Sequence, residues 1–264
     1  MIHKTAIIDS KAKISNNVSI GAYSIIGADV VIGEGSIIQS HVNIIGDTII
    51  GKNNRIYSFS SIGNDPQDLK YKNEKTKIII GDDNKIREYV TVNPGTLGGG
   101  KVTTIGNNCL FMVHSHIAHD CKIGNNVILA NSVPIGGHAT IEDEVIIGGN
   151  SAVQQFTRVG KLSMIGGMCG VVKDVLPYSL VYGNRSILQG VNIIGLRRKN
   201  IPNNKINKVK EAFDFIFQNK HHMDNVNKLP NEISKEEIVK DIIDFLNNDK
   251  KRPICTPLSL DENN

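Results

Sequence analysis

From residue 19 the chain reads Ser19-Ile-Gly-Ala-Tyr-Ser-Ile-Ile-Gly-Ala-Asp-Val-Val-Ile-Gly33, and from residue 36 Ser36-Ile-Ile-Gln-Ser-His-Val-Asn-Ile-Ile-Gly46. Isoleucine recurs at 20, 26, 32, 38 and 44, and counting outward in sixes it also stands at 2, 8, 14, 50, 56 and 62 without a failure. The register resumes at Ile80, Ile86 and Val92, slips by one, and continues as Ile105, Phe111, Ile117, Ile123, Leu129, Ile135, Ile141, Ile147, Val153, Val159, Ile165 and Val171. A six-residue period is neither the 3.6 of a helix nor the alternation of one strand. It fits a short strand plus a turn, repeated as a solenoid. Glycine often follows the inward residue, and Asn-Asn or Asp-Asn pairs recur soon after. Both tolerate the left-handed backbone of tight corners. Three repeats per coil predict a parallel β-helix in which each strand pairs with the one about 4.8 Å above it. The pattern leaves the hand of the coil open, and a purely structural solenoid would show the same period.

Composition narrows the function classes. Thirty basic against 26 acidic residues give a formal charge of +4 over 264 residues, too balanced for nucleic-acid binding by bulk attraction. No leader-like segment opens the chain and no apolar run approaches bilayer length, so neither membrane insertion nor export is expected, and the expected location is cytoplasmic. Cys109, Cys121, Cys169 and Cys255 are scattered without a CxxC pair, as reduced thiols would be.

The repeat breaks twice, and loops thrown out from a rigid solenoid are where function tends to sit. The first break spans roughly Gly63 to Lys77 and carries Gln67-Asp-Leu-Lys-Tyr71. The second, Asn93 to Thr103, contains Gly98-Gly-Gly100 and reads equally well as a mobile flap or a solvated loop. From about residue 191 a helical grammar begins. Ile206, Val209, Phe213 and Ile216 share one face, and Val239, Ile242, Ile243 and Leu246 another, the latter after a capping box Ser234-Lys-Glu-Glu237. The expected division is therefore a β-helix over 1–190 and a small helical domain over 191–264. At its start Arg197, Arg198 and Lys199 gather cations that suit either a phosphate or plain solvent.

His114, His116 and His119 cluster in one short stretch, with His138 further on. With eighteen residues per coil, Gly137 and then Gln155 should stack above His119. A neutral imidazole can take a proton from a hydroxyl while a free backbone N–H beside it holds an oxyanion. Three histidines also suffice for a catalytic zinc site, as in the gamma-class carbonic anhydrases, although gaps of one and two residues disfavour that.

Three sets of residues are distinctive beyond the repeat: Gln67-Asp-Leu-Lys-Tyr71; His116-Ile-Ala-His-Asp-Cys121 with Gly136-Gly-His138; and Val191-Asn192 leading into Gly195-Leu-Arg-Arg198. Across almost the whole chain they resemble the UDP-N-acetylglucosamine O-acyltransferases that begin lipid A synthesis, within the hexapeptide-repeat acyltransferases. The resemblance implies a left-handed parallel β-helix, a homotrimer, and no metal or diffusible cofactor. It implies UDP-N-acetylglucosamine as acceptor and an acyl carrier protein bearing a 3-hydroxyacyl group as donor. It makes His119 the general base, Gly137 the oxyanion donor and Asp120 the support for the base, although neighbours in an ideal strand face opposite ways. Gln67, Asp68, Lys70, His116 and His138 would line the acyl and sugar pocket. Gln154, Gln155, Asn192, Arg198 and Lys199 would hold the nucleotide and sugar, and Gly167 would gauge acyl length unless it is only a corner glycine. The family usually has a histidine at 154 and often an acid at 194, where this chain has Gln154 and Ile194, so an acceptor with a 3-amino group stays open.

Overall fold

The computed structural model describes residues 1–248 and 252–260, so 249–251 and 261–264 of the expected helical domain lie outside the described residues. The isoleucine register becomes three parallel sheets. The first face runs from Ile7–Ile8 to Gly170–Val171, the second from Lys13–Ile14 to Arg158–Val159, and the third from Ser19–Ile20 to Ser179–Tyr182, with Ile187–Val191 added antiparallel. Residues eighteen apart are partners, as in Ile7 with Ile25 and His116 with Pro134, so one coil is three hexapeptides. The inward column, from Ile20 through Ile56 and Phe111 to Ile165, is buried. The outward partners of the two-residue strands are half-buried or exposed, which is the pleat expressed at its minimum length.

Corners join the faces, and many hold a residue in the left-handed region. Between the third face and the first these include Tyr23, His41, Phe59, Tyr89 and His114, and between the first and second, Asp120, His138 and Phe156. The two breaks leave the coil where expected, between the first face and the second: the chain leaves after Ser61–Ile62 and again after Thr91–Val92, returning at Lys77–Ile80 and Val102–Ile105.

The six-residue register ends at Val171, and helices follow at Ile193–Arg198, Asn203–Ile216, His222–Asn227, Asn231–Ser234 and Glu237–Asn248. The expected helical faces pack: Ile206, Val209, Phe213, Ile216, Val239, Ile242 and Leu246 are buried and Ile243 is partly so. The capping box does not form. Ser234 instead ends the preceding helical turn, with its N–H donated to the Pro230 carbonyl at 2.9 Å. The C-terminal segment then returns to the β-helix, where Cys255 N–H donates to the Asp174 carbonyl at 2.7 Å and Asp174 N–H to Pro253 at 2.9 Å. Buried Asp174 accepts Arg158 Nε at 2.7 Å, which ties the strap to the second face. Among the described residues no helix is long and apolar enough to cross a membrane.

Candidate active site

The corner between the first and second faces gathers His119, Asp120, Gly137 and His138. His119 lies just after the strand His116–Ile117, and the eighteen-residue register puts Gly137 directly over it, with the His138 N–H donated to the His119 carbonyl at 2.9 Å. Gly137 is glycine for want of space, since its φ is not in the left-handed region. A Cβ there would meet His119 Cε1 at 2.6 Å and Nε2 at 2.7 Å. Its own N–H donates to no acceptor among the described residues. The imidazole and an unengaged backbone donor thus occupy successive coils of one corner.

Asp120 resolves the difficulty raised by strand alternation, because it does not lie in a strand. Its φ of 59° places it in the left-handed corner and turns its carboxylate back to its neighbour. His119 Nδ1–H donates to Asp120 Oδ2 at 2.9 Å, which leaves Nε2 as the free acceptor of the ring. The carboxylate is fully covered, and the cover is the second loop. Thr96 donates its N–H to both oxygens at 2.9 and 3.0 Å and its hydroxyl to Oδ2 at 2.6 Å. The loop is thus two-sided: Asn93 and Thr96 are buried, and Gly95 and Gly99 leave room for the Asp120 side chain, while its tip at Leu97, Gly98 and Gly100 is exposed as a solvated turn would be.

Two further histidines flank the dyad. His116 Nδ1 shares a hydrogen bond with Thr91 Oγ1 at 2.7 Å, and burial, aided by the nearby His119, holds it below the ordinary histidine range. His138 is edge-on to His119 with centroids 4.9 Å apart and stacked on Phe156 at 4.3 Å. Burial lowers its pKa too, against the opposing pull of the Asp120 and Asp68 carboxylates. Asp68 is thus the group of the first loop that acts on this corner. Its carboxylate also accepts Lys70 N–H at 2.9 Å, while Gln67 and Lys70 are exposed. The 740 Å³ groove under the same loop, walled by Lys13, Val31, Tyr71 and Thr76, includes none of the histidines.

The suspected zinc trio does not converge. His114 sits at another corner, stacked on Tyr89 at 4.8 Å, because two residues along a tight coil suffice to turn from one corner into the next face. The group whose donor atoms do gather is His119, Asp120 and His138, within 4.8 Å of one another. There the carboxylate is already engaged by Thr96 and by the His119 N–H.

The remaining expected residues are spread over the molecule. Gln154 and Gln155 are exposed on the His119 corner, two coils further along, and Gln154 accepts Arg252 at 3.2 Å from the C-terminal strap. Gly167 lies at the corner between the third and first faces. Its φ is not left-handed, that duty falling to Met168, and a Cβ there would approach the Gly149 carbonyl oxygen at 3.2 Å. Asn192 uses both ends of its side chain locally, accepting Gly195 N–H at 3.0 Å and donating to the Leu162 carbonyl at 2.9 Å. Arg198 is exposed, and Lys199 pairs with Glu144 at 2.7 Å. Sequence reading missed Thr96, Thr103, Phe156 and Arg252. Phe156 alone had a readable signal, being eighteen residues after His138.

A coil of hexapeptides with an oriented imidazole and an unused N–H at one corner is the arrangement of a left-handed β-helical acyltransferase. Residues 174–255 match the family described as Udp N-acetylglucosamine O-acyltransferase, Domain 2, and residues 11–46 and 103–137 match the bacterial transferase hexapeptide repeat. The chain belongs to the UDP-N-acetylglucosamine O-acyltransferase family. It is 48% identical over 255 residues to the acyl-(acyl-carrier-protein) UDP-N-acetylglucosamine O-acyltransferase of Rickettsia canadensis, covering 96% of this chain and 97% of that one. It is 46% identical to the enzyme of the same name from Aliarcobacter butzleri, over 95% and 96% of the two chains. Among solved structures it superimposes on UDP-N-acetylglucosamine O-acyltransferase from Moraxella catarrhalis with a TM-score of 0.91 at 41% identity, covering 96% and 98% of the chains. The Francisella novicida UDP-N-acetylglucosamine acyltransferase gives 0.93 at 37%, covering 98% and 95%.

Proposed function

We propose that this protein transfers a 3-hydroxyacyl chain from acyl carrier protein to the 3-hydroxyl of UDP-N-acetylglucosamine, the first step of lipid A synthesis, in the cytoplasm. The observation that carries the mechanism is the polarised imidazole: His119 Nδ1–H is committed to Asp120 at 2.9 Å, so Nε2 is free to accept a proton beside Gly137. Nε2 takes the proton of the sugar hydroxyl as its oxygen attacks the thioester carbonyl. The Gly137 N–H holds the oxyanion of the tetrahedral intermediate, and Asp120 stabilises the imidazolium. Collapse expels the carrier's thiolate, which recovers the proton from His119. His116, His138, Gln67, Asp68 and Lys70 position acyl chain and sugar. No step draws on a metal or diffusible cofactor.

The working unit we infer is a homotrimer. Gly167, Asn192, Arg198 and Lys199 stand away from the His119 corner of their own chain. They join a pocket only if a neighbouring subunit presents them, so acyl gauge and nucleotide contacts are supplied across the interface.

The test offers UDP-N-acetylglucosamine and a range of 3-hydroxyacyl carrier proteins to wild type and His119→Ala. Loss of a general base costs about 10²- to 10⁴-fold, so the variant is expected to remain assembled and nearly inactive. Near-normal turnover in it ends this assignment. One equivalent of zinc on the purified protein, lost with His119→Ala, would replace it with a metal-centred reading.

A further inference from the structure

The Asp120 side chain has no exposed surface, and its hydrogen bonds come from two directions. From the coil comes His119 Nδ1–H at 2.9 Å to Oδ2. From the glycine-rich loop come the Thr96 hydroxyl at 2.6 Å to the same oxygen and the Thr96 N–H at 2.9 and 3.0 Å to both. At the returning end of the loop Thr103 Oγ1 accepts the Asp120 N–H at 2.8 Å, so main chain and side chain of one residue are both gripped. A Cβ on Gly95 would lie 2.8 Å from Asp120 Oδ1, and one on Gly99 would overlap the carboxylate. The first loop braces the second, since Glu74 accepts the Leu97 N–H at 3.1 Å. A connection needed only to re-enter the coil requires none of these contacts.

We propose that Thr96 is a positioning residue for the acyl transfer, its loop acting as a clamp that fixes the Asp120 carboxylate and shares its charge with His119. This rests on the reading of His119 as the base. Beside the Thr96 N–H, which bridges both oxygens, the Thr96 hydroxyl and the His119 N–H compete for Oδ2. Removing the Thr96 hydroxyl leaves more of the negative charge to the His119 N–H, which stabilises the imidazolium and makes the ring harder to deprotonate. The carboxylate, held by one donor fewer, also loses its fixed orientation. The first effect moves the acid limb of the kcat/KM profile to higher pH, and the second lowers the plateau. The other titratable groups facing the dyad are His116, His138, Asp68 acting through His138, and Cys121, whose burial pushes its thiol up to about 12 and keeps it neutral. All four are unchanged by a substitution at 96, so the difference between wild type and variant isolates the clamp.

The experiment compares Thr96→Val, Thr96→Ser, Asp120→Asn and the Asp120→Asn/Thr96→Val double variant in the full-length enzyme, with His119→Ala alongside. Losing one hydrogen bond to a charged group should lower kcat roughly tenfold in Thr96→Val, with both KM values unchanged and the acid limb raised. Thr96→Ser, which restores the hydroxyl, should come within about twofold of wild type, and on the Asp120→Asn background Thr96→Val should cost less than about twofold. Gly99→Ala, whose methyl group displaces the carboxylate while leaving Thr96 intact, is expected to reproduce the loss and keeps the test open if Thr96→Val does not fold. Wild-type kcat and an unmoved limb in Thr96→Val, or an equal proportional loss on both backgrounds, overturns the clamp. A His119→Ala enzyme that still turns over instead overturns the base itself, so the two failures are separable.

Discussion

Gly137→Ala adds one methyl group, and the structure says where it goes. The Cβ would sit 2.6 Å from His119 Cε1 and 2.7 Å from Nε2, whereas carbon atoms rest about 3.5–4.0 Å apart. The imidazole must therefore retreat by about 1 Å, and a displacement of that size at the reacting centre costs about 10²-fold in rate. The fold should tolerate the change. Gly137 is outside the left-handed region, so alanine incurs no backbone strain, and the His119 side chain keeps 12% of its surface exposed, which gives the ring a way out. Steady-state turnover at saturating donor and acceptor, with thermal melting as the control, decides the matter. kcat should fall by about 10²-fold while the melting temperature moves by no more than a few degrees. A folded Gly137→Ala enzyme within about threefold of wild type would refute the reasoning, since the base would then not need the space that glycine provides.

At Gly167 a Cβ would meet the Gly149 backbone, its carbonyl oxygen at 3.2 Å and its nitrogen at 3.9 Å, a close approach that a shift of a few tenths of an ångström relieves. Gly167→Met should fill the space of about four methylenes and discriminate against long donors by about 3 kcal/mol, roughly a hundredfold. Competition between long and short 3-hydroxyacyl carrier proteins reads this, and equal losses for both would end the ruler assignment. Burial lowers the pKa of His116, so the unfolded chain takes up a proton there before the folded one does. Its stability contribution is full above the ordinary histidine value and declines as pH falls through it. Urea midpoints should therefore fall less steeply from about pH 7 to about pH 5 in His116→Gln than in wild type, and an unchanged slope would contradict the burial argument. Arg158→Met strips Asp174, 1% exposed, of its 2.7 Å partner and should cost about 3 kcal/mol in denaturant unfolding. A loss below about 1 kcal/mol would mean that the strap and Arg252 compensate the charge alone.

The coil was legible because its information is local and repeated. Eighteen-residue arithmetic places Gly137 over His119, and the pairing of His116 with Pro134 bears this out. The same arithmetic carried the aliphatic core through to Val171. What escaped was set by groups far apart in sequence. Alternation suggested that Asp120 faces away from His119, a rule that holds for extended backbone and fails at a left-handed corner. The glycine-rich loop had the composition of a flexible segment, yet Gly95 and Gly99 mark a close approach to a carboxylate while Gly98 and Gly100 face open space, a difference that composition cannot show. Arg252 reaches Gln154 across 98 residues, a contact no periodicity encodes.

The corner that bears the dyad uses the same device as the others. A non-glycine residue in the left-handed region costs about 1–2 kcal/mol, and stacking neighbours along each edge of the prism offset it. Between the third and first faces Tyr23, His41, Phe59, Tyr89 and His114 form a column of rings with centroids 4.8 to 5.3 Å apart. Between the second face and the third Asn108 and Asn126 bond side chain to side chain at 2.6 Å. The edge between the first and second faces carries Asp120, His138 and Phe156 in that role, and one residue earlier in each coil His119, Gly137 and Gln155. Two of the stacking positions are thus a carboxylate and an imidazole, and the glycine between His119 and Gln155 makes space for the His119 ring. The inward isoleucines at these levels stay fully buried. Corner side chains can therefore differ from coil to coil, as Asp120, His138 and Phe156 do, without disturbing the column that holds the coil together.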